Sequence, residues 1–336
     1  MTTVLDSLNS ALQRAFADDA RLLLLGEDVL DPYGGAFKVT RGLSTRFPER
    51  VMTTPVSEAG IVGVGAGMAL RVLRPVVEIM FGDFVALAAD QLVNHVAKFR
   101  WMYNDQVSLP LVIRTPMGGR RGYGPTHSQT LEKLFMGVPG LRLLAPTALG
   151  DPGELLYTAV RYSDDPTLFI ENKLLYTQTL HGEELNRDFV VDPLSLIPTS
   201  PAYCLTLRDA PPAMLSLTAY GYMAELALQA ARRLAYEHEV FTDLLVFTEL
   251  SPFTLNHLTS SLLHTSRLLT IEEGSYTLGW GAEVLARAAE ALGSRLKAAR
   301  RLAARDLPVP ASGPLEAAVL PGVDEIVRLG VEMVRE

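Results

Sequence analysis

Cysteine is almost missing from this 336-residue chain. Cys204 stands alone, which excludes an internal disulfide and a cysteine-built zinc cluster. Flanked by Tyr203 and Leu205, it reads as a buried structural residue rather than a nucleophile. Positive charge is in deficit as well. The formal net charge of −8 argues against nucleic acid as the main partner. No apolar run suits a membrane span, since the most apolar region, 60–81, is broken by Arg71, Arg74 and Pro75. The opening MTTVLDSLNSALQRAF reads as an amphipathic helix, without the basic start and apolar run of a signal peptide. The expected setting is therefore the reducing cytoplasm, with no membrane partner. Metal patterns are lacking too. None of His95, His127, His181, His238, His257 and His264 pairs with another at ligand spacing. Neither a Walker sequence, nor a G-x-S-x-G elbow, nor an HExxH motif occurs.

What remains is a globular composition, 48% hydrophobic and 20% charged, long enough for two domains of ordinary size. Apolar strand-like runs at 21–26, 75–81, 109–115, 141–146 and 167–172 alternate with helical patterns at 84–103 and 151–162. Periodicity fades from 173 to about 212, a stretch that reads as the link between domains with room for an edge strand or two. A second alternation then follows, with strands at 213–219, 240–247 and 267–272 and helices at 224–236, after Pro252, at 281–292 and at 323–334. The expected fold class is α/β, two mostly parallel-sheet domains.

The most informative stretch is TPVSEAGIVGVGAGMAL, 54–70. Glu58 stands where an extended segment ending in Pro55 turns into a small-residue helix, with Ser57 as the candidate cap. Gly60, Gly63 and Gly67 share one helical face, and glycine in a helix interior costs ~1 kcal/mol against alanine. Such a face suits the close approach of another backbone. Glu58 fits equally a site carboxylate or a solvated acid in the first turn of a packed helix. Glu27 and Asp28 follow an apolar strand, where acids occur both at ligand crevices and as ordinary loop charges. His95 sits mid-helix among Val93, Val96 and Phe99 and reads as packing. His127 is delivered by the glycine-rich loop MGGRRGYGPTHSQ, just before an expected helix near Ser128, and is the better catalytic candidate. GIVGVGAG does not follow G-x-G-x-x-G and is a weak dinucleotide signal.

Taken together, GEDV with YGGAFKVTRGL, TPVSEAGIVGVGAGMAL, RPVVEIMFGDF, DQLVNHVAK, PLVIRTPMGG, THSQ, PGLRLLAP and DPTLFIENKLLY resemble, in order and spacing, one family. It is the beta subunit of the thiamine-diphosphate-dependent 2-oxo acid dehydrogenases, the decarboxylating components of the pyruvate, branched-chain 2-oxo acid and acetoin complexes. ELSPFTL, LLTIEE, GWGAEV and DLPVPASGPLE extend the match into the second half. The resemblance implies a transketolase-like pyrimidine-binding domain at 1–178, a linker at 179–212 and a transketolase C-terminal-like domain at 213–336. It implies that Glu58 hydrogen-bonds the aminopyrimidine ring of thiamine diphosphate, that Phe84 packs on that ring and that Met80 lines the pocket. His127 matches the active-site histidine, a proton donor and orienting group. The family's magnesium-binding GDG motif does not continue correctly at Gly82-Asp83-Phe84 or at Gly150-Asp151-Pro152. The diphosphate and its magnesium should therefore be held mainly by a separate alpha subunit, in an α2β2 heterotetramer. Further implied partners are a small 2-oxo acid and a lipoyl-bearing acyltransferase core or acyl carrier. Potassium is implied at Leu111, Ala159, Val160 and Asp165. Arg120 and Arg121 replace the relatives' glycine- and histidine-rich approach to HSQ, either to recognise an anion or as solvated loop charges.

Overall fold

The computed structural model describes residues 2–195 and 199–336. Two units emerge, one made of Met1–Gly118 with Leu134–Leu180 and the other of Gly119–Lys133 with His181–Glu336. In the first unit, α1 (Val4–Asp18) begins at Thr3, whose hydroxyl accepts the Asp6 N–H while the Asp6 carboxylate accepts the Thr3 N–H, a reciprocal cap. Strands β1 (Leu22–Gly26), β2 (Val51–Thr53), β3 (Arg74–Glu78), β4 (Val112–Met117), β5 (Arg142–Leu144) and β6 (Thr167–Asn172) pair in parallel, in the order β5-β6-β4-β3-β1-β2. β3 and β4 are buried along their whole length, which is why their sequences read as continuous apolar runs rather than alternations.

Helix α2 (Glu58–Leu70) carries the glycines. A Cβ on Gly65 would lie 2.9 Å from Cγ2 of Val77 and 3.2 Å from Cδ1 of Leu111, so Gly65 is the one that packs on this unit's own sheet. Gly60 and Gly67 are exposed, and a Cβ on Gly67 would meet nothing within 4 Å. Of the face predicted for close approach, Gly60 and Gly67 are thus presented outward, whereas Gly63 is half-buried, with a Cβ there 3.3 Å from Oε1 of Gln91. Gly65→Val is expected to destabilise the chain by ~1–3 kcal/mol through overpacking. Gly67→Ala should stabilise the isolated chain by ~1 kcal/mol through helix propensity. Denaturant midpoints of the two variants check this contrast.

The expected helix at 84–103 is instead a succession of a 3-10 segment (Gly82–Ala88), a π-helical turn (Gln91–Val96) and one short α-turn (Phe99–Met102). The widened turn sits where the backbone of Gly140 meets the chain. A Cβ there would lie 2.1 Å from the Ala97 carbonyl oxygen, while the Ala97 N–H donates to Leu92. The helix expected at Ser128 is absent, and only a 3-10 turn at Glu132–Leu134 forms.

In the second unit the strands are β7 (Phe189–Ser195), β8 (Ala202–Leu207), β9 (Leu215–Tyr220), β10 (Thr242–Phe247), β11 (Arg267–Ser275) and β12 (Ala298–Ala304). Their order is β12-β11-β9-β10-β8-β7, parallel except for the antiparallel edge formed by β7 and β8. That edge lies within the stretch read as a linker, 179–212, of which 196–198 fall outside the described residues. Helix α3 (Gly313–Val319), like β12, has no counterpart among the sequence expectations.

Candidate functional site

Parallel register places the first unit's candidate residues at one sheet end. Gly26, the last residue of β1, stands opposite Thr53 of β2 and Glu78 of β3. The chain leaving that end supplies Glu27 from β1, the segment to Glu58 from β2, and Met80 from β3. Carboxyl ends of parallel strands are where open α/β sheets take ligands. Glu58 is only 5% exposed, which removes the solvated-acid reading. Ser57 occupies the cap position, but its hydroxyl makes no cap bond. Among the described residues no hydrogen bond or ion pair reaches the Glu58 carboxylate. Glu27 is buried beside it and holds its proton more tightly than usual, first through burial and then through the Glu58 charge.

A buried carboxylate without a partner is costly unless something absent from the chain completes it. The neighbouring Met80 and Phe84, both half-buried, offer apolar surface that suits a flat ring. The Phe84 ring stands edge-on to Phe81 at 5.9 Å, and Phe81 in turn packs on Phe37 at 5.6 Å. The residues of this chain therefore fit the pyrimidine half of thiamine diphosphate.

Beneath this end runs a buried ion network that the sequence reading overlooked. The Arg114 guanidinium forms a two-pronged pair with Glu171 and a further pair with Glu78, and the Tyr176 hydroxyl donates to Glu171. Burial works against the Arg114 charge, but Glu171 and Glu78 more than offset it and keep the guanidinium protonated. The available signal was one charged residue inside each apolar run, in PVVEIMF, LVIRTPM and TLFIEN.

His127 belongs to the second unit, in Gly119–Lys133. It is half-buried, and its Nδ1 lies 3.0 Å from the Thr126 hydroxyl. The two arginines of its loop differ. Arg120 is tied inward, with its guanidinium donating to the Pro321 carbonyl, whereas Arg121 is exposed over the Tyr123 ring. Cys204 is only partly buried, yet burial pushes its thiol up to about 12, consistent with an inert role. His95 is not core. Its side chain is 44% exposed, with Nδ1 3.8 Å from Asp90.

A second buried acidic pair lies in this unit. The Tyr220 hydroxyl donates to Glu132 at 2.6 Å, and Glu272 accepts the Gly281 N–H at 3.0 Å. Burial, followed by the charge of Glu132, pushes Glu272 up to about 8. A carboxyl with a raised folded pKa binds its proton more tightly in the native state. The contribution of Glu272 to stability should thus be fully present below about pH 4.5 and fall away as pH rises towards 8. Glu272→Gln is expected to flatten that fall, read from unfolding midpoints between pH 5 and 8.

Among the described residues no group of three or more His, Cys, Asp or Glu side chains is placed to hold a metal. The carbonyls at three of the four implied potassium positions, Leu111, Ala159, Val160 and Asp165, already accept hydrogen bonds within the chain. The Leu111 carbonyl accepts the Thr167 N–H, the Val160 carbonyl accepts the Arg74 guanidinium, and the Asp165 carbonyl accepts the Ser163 and Thr167 hydroxyls. Nor is any helix of the described residues long and apolar enough to cross a membrane.

The transketolase pyrimidine-binding domain matches residues 1–179, and the transketolase C-terminal domain matches residues 206–326. The mitochondrial pyruvate dehydrogenase E1 component subunit beta-1 of Arabidopsis thaliana is 36% identical over 332 residues, 97% of this chain and 87% of that protein. The pyruvate dehydrogenase E1 component subunit beta of Rickettsia bellii is 32% identical, covering 97% of this chain and 96% of that one. The beta subunit of acetoin:2,6-dichlorophenolindophenol oxidoreductase from Cupriavidus necator is also 32% identical, at 95% and 94% coverage. In fold, the chain is similar to a split-gene transketolase solved as an inactive beta4 tetramer. The TM-score is 0.75 at 18% identity, with 100% of this chain and 99% of that chain covered.

Proposed function

The chain belongs to the transketolase-like beta subunits of the thiamine-dependent 2-oxo acid dehydrogenases, and from that membership we propose that Glu58, Met80 and Phe84 form the pyrimidine side of a thiamine diphosphate site. The observation that carries this reading is the Glu58 carboxylate, 5% exposed and without a partner in its own chain. When bound, the cofactor supplies the electron sink for loss of carbon dioxide from a 2-oxo acid. Glu58 would hold a proton toward the pyrimidine ring nitrogen, Phe84 would pack on the ring, and Met80 would line the pocket. His127 orients the substrate and moves a proton as the acyl group passes to a lipoyl arm.

The other half of the site, with the diphosphate and magnesium, is assigned to an alpha subunit in an α2β2 assembly. The outward face bearing Gly60 and Gly67 supports that partner, because small residues let helices approach closely. The acyl acceptor is a lipoyl-bearing acyltransferase core, and potassium is given no role. The domain division proposed is 1–178, 179–212 and 213–336. A cytoplasmic setting rests on the lone cysteine, and several relatives are mitochondrial by name. Calorimetry tests the shared site: thiamine diphosphate with magnesium should bind the alpha–beta pair and not this chain alone. Equal binding by the isolated chain overturns it.

A further inference from the structure

The loop that carries His127 holds a costly shape. Arg120, Gly122 and Gly124 all lie in the left-handed region, at φ of 67°, 69° and 77°, and for Arg120 that region is unfavourable. Two buried carboxylates meet this stretch. Glu273, near the end of β11, accepts the Gly119 N–H at 2.6 Å. Glu316, in α3, accepts the Arg120 N–H at 2.7 Å through one oxygen and the Gly122 N–H at 3.2 Å through the other. Both acids are 4% exposed. The fit is close, since a Cβ on Gly119 would lie 2.6 Å from Cδ1 of Leu320 and 3.1 Å from the Glu316 carboxylate. The Arg120 guanidinium closes the same clasp on the Pro321 carbonyl. At the far end of the segment Glu132 is held by Tyr220, and Lys133 donates to the Thr277 carbonyl at 2.8 Å.

Anionic oxygens gathering successive backbone N–H groups make strong, directional bonds and fix a turn that its own residues disfavour. We propose that Glu316, assisted by Glu273, is a positioning residue for His127: it receives the amides of Arg120 and Gly122 and so sets where the following loop delivers the imidazole. The proposal rests on the role given to His127 above. Both Glu316 oxygens are engaged by backbone N–H groups of the loop, so its action runs through the backbone.

The test uses the enzyme assembled with its alpha subunit, assayed by dye reduction with pyruvate or 4-methyl-2-oxopentanoate, whichever is turned over faster. Glu316→Ala is expected to lower kcat by roughly 10–100-fold with KM little changed, the scale of an angstrom-sized misplacement. Glu316→Gln keeps one accepting oxygen and should recover part of that loss, and it carries the test should the Ala variant not fold. Hydrogen exchange of the 119–127 amides in the full chain should quicken in both variants. The double variant with His127→Ala should be no slower than His127→Ala alone, as expected when one residue acts through the other. Unchanged exchange, a wild-type kcat, or losses that add fully overturn the positioning role while His127 keeps its own. A fully active His127→Ala enzyme removes the reading beneath the proposal, and the proposal with it.

Discussion

Replacing Glu58 with Ala is expected to reduce turnover of the assembled enzyme by ~10²–10⁴-fold, the range of a lost proton-transfer group. The same change should make the isolated chain more stable, not less. The residue is 5% exposed and its carboxylate makes no hydrogen bond or ion pair among the described residues, so its removal breaks no bond and forfeits only the ~0.3–1 kcal/mol that an acid contributes at a helix N-terminus, against the desolvation it relieves. Alanine also favours the helix. An unfolding free energy about 1 kcal/mol higher, together with lost activity, is the signature of a residue kept for chemistry at the expense of folding. A variant that is both active and destabilised contradicts this account, because Glu58 would then be an ordinary packing or capping group.

The second large effect belongs to Arg114. Replacing it with Ala leaves Glu78 and Glu171 buried without their counter-charge, and the chain should lose ~3–5 kcal/mol, measured by chemical unfolding. Arg114→Met together with Glu78→Leu, Glu171→Leu and Tyr176→Phe should recover much of that loss, since the penalty comes from uncompensated charge rather than lost volume. If Arg114→Ala costs under 1 kcal/mol, the network is better solvated than its burial indicates.

The elements legible in the sequence are those whose burial is uniform. β3, β4 and β6 read directly because both of their faces are covered, and α1 and the helix at Pro152–Tyr162 read from period and cap. β12 did not, because AARRLAA is half-buried and carries Arg300 and Arg301 on a sheet edge. The broken run after Gly82 escaped for another reason. Its residues keep helical spacing, and only the tertiary approach of Gly140 to Ala97 accompanies the π-turn. Likewise, no local pattern near Ser128 shows that residues as distant as Glu273 and Glu316 take the backbone amides of the preceding loop. Among the candidate residues, Glu58 and His127 were singled out by their own surroundings. Arg114, Glu78 and Glu171 gain meaning only once three parallel strands stand side by side.

The central claim is that an orphaned acid in one polypeptide is completed by a cofactor held jointly with another. A crystal structure of the alpha–beta assembly with thiamine diphosphate and magnesium tests it most directly. The account predicts a Glu58 oxygen within hydrogen-bonding distance of the pyrimidine ring nitrogen. Glu58 turned to bulk water, with the cofactor seated elsewhere, contradicts it.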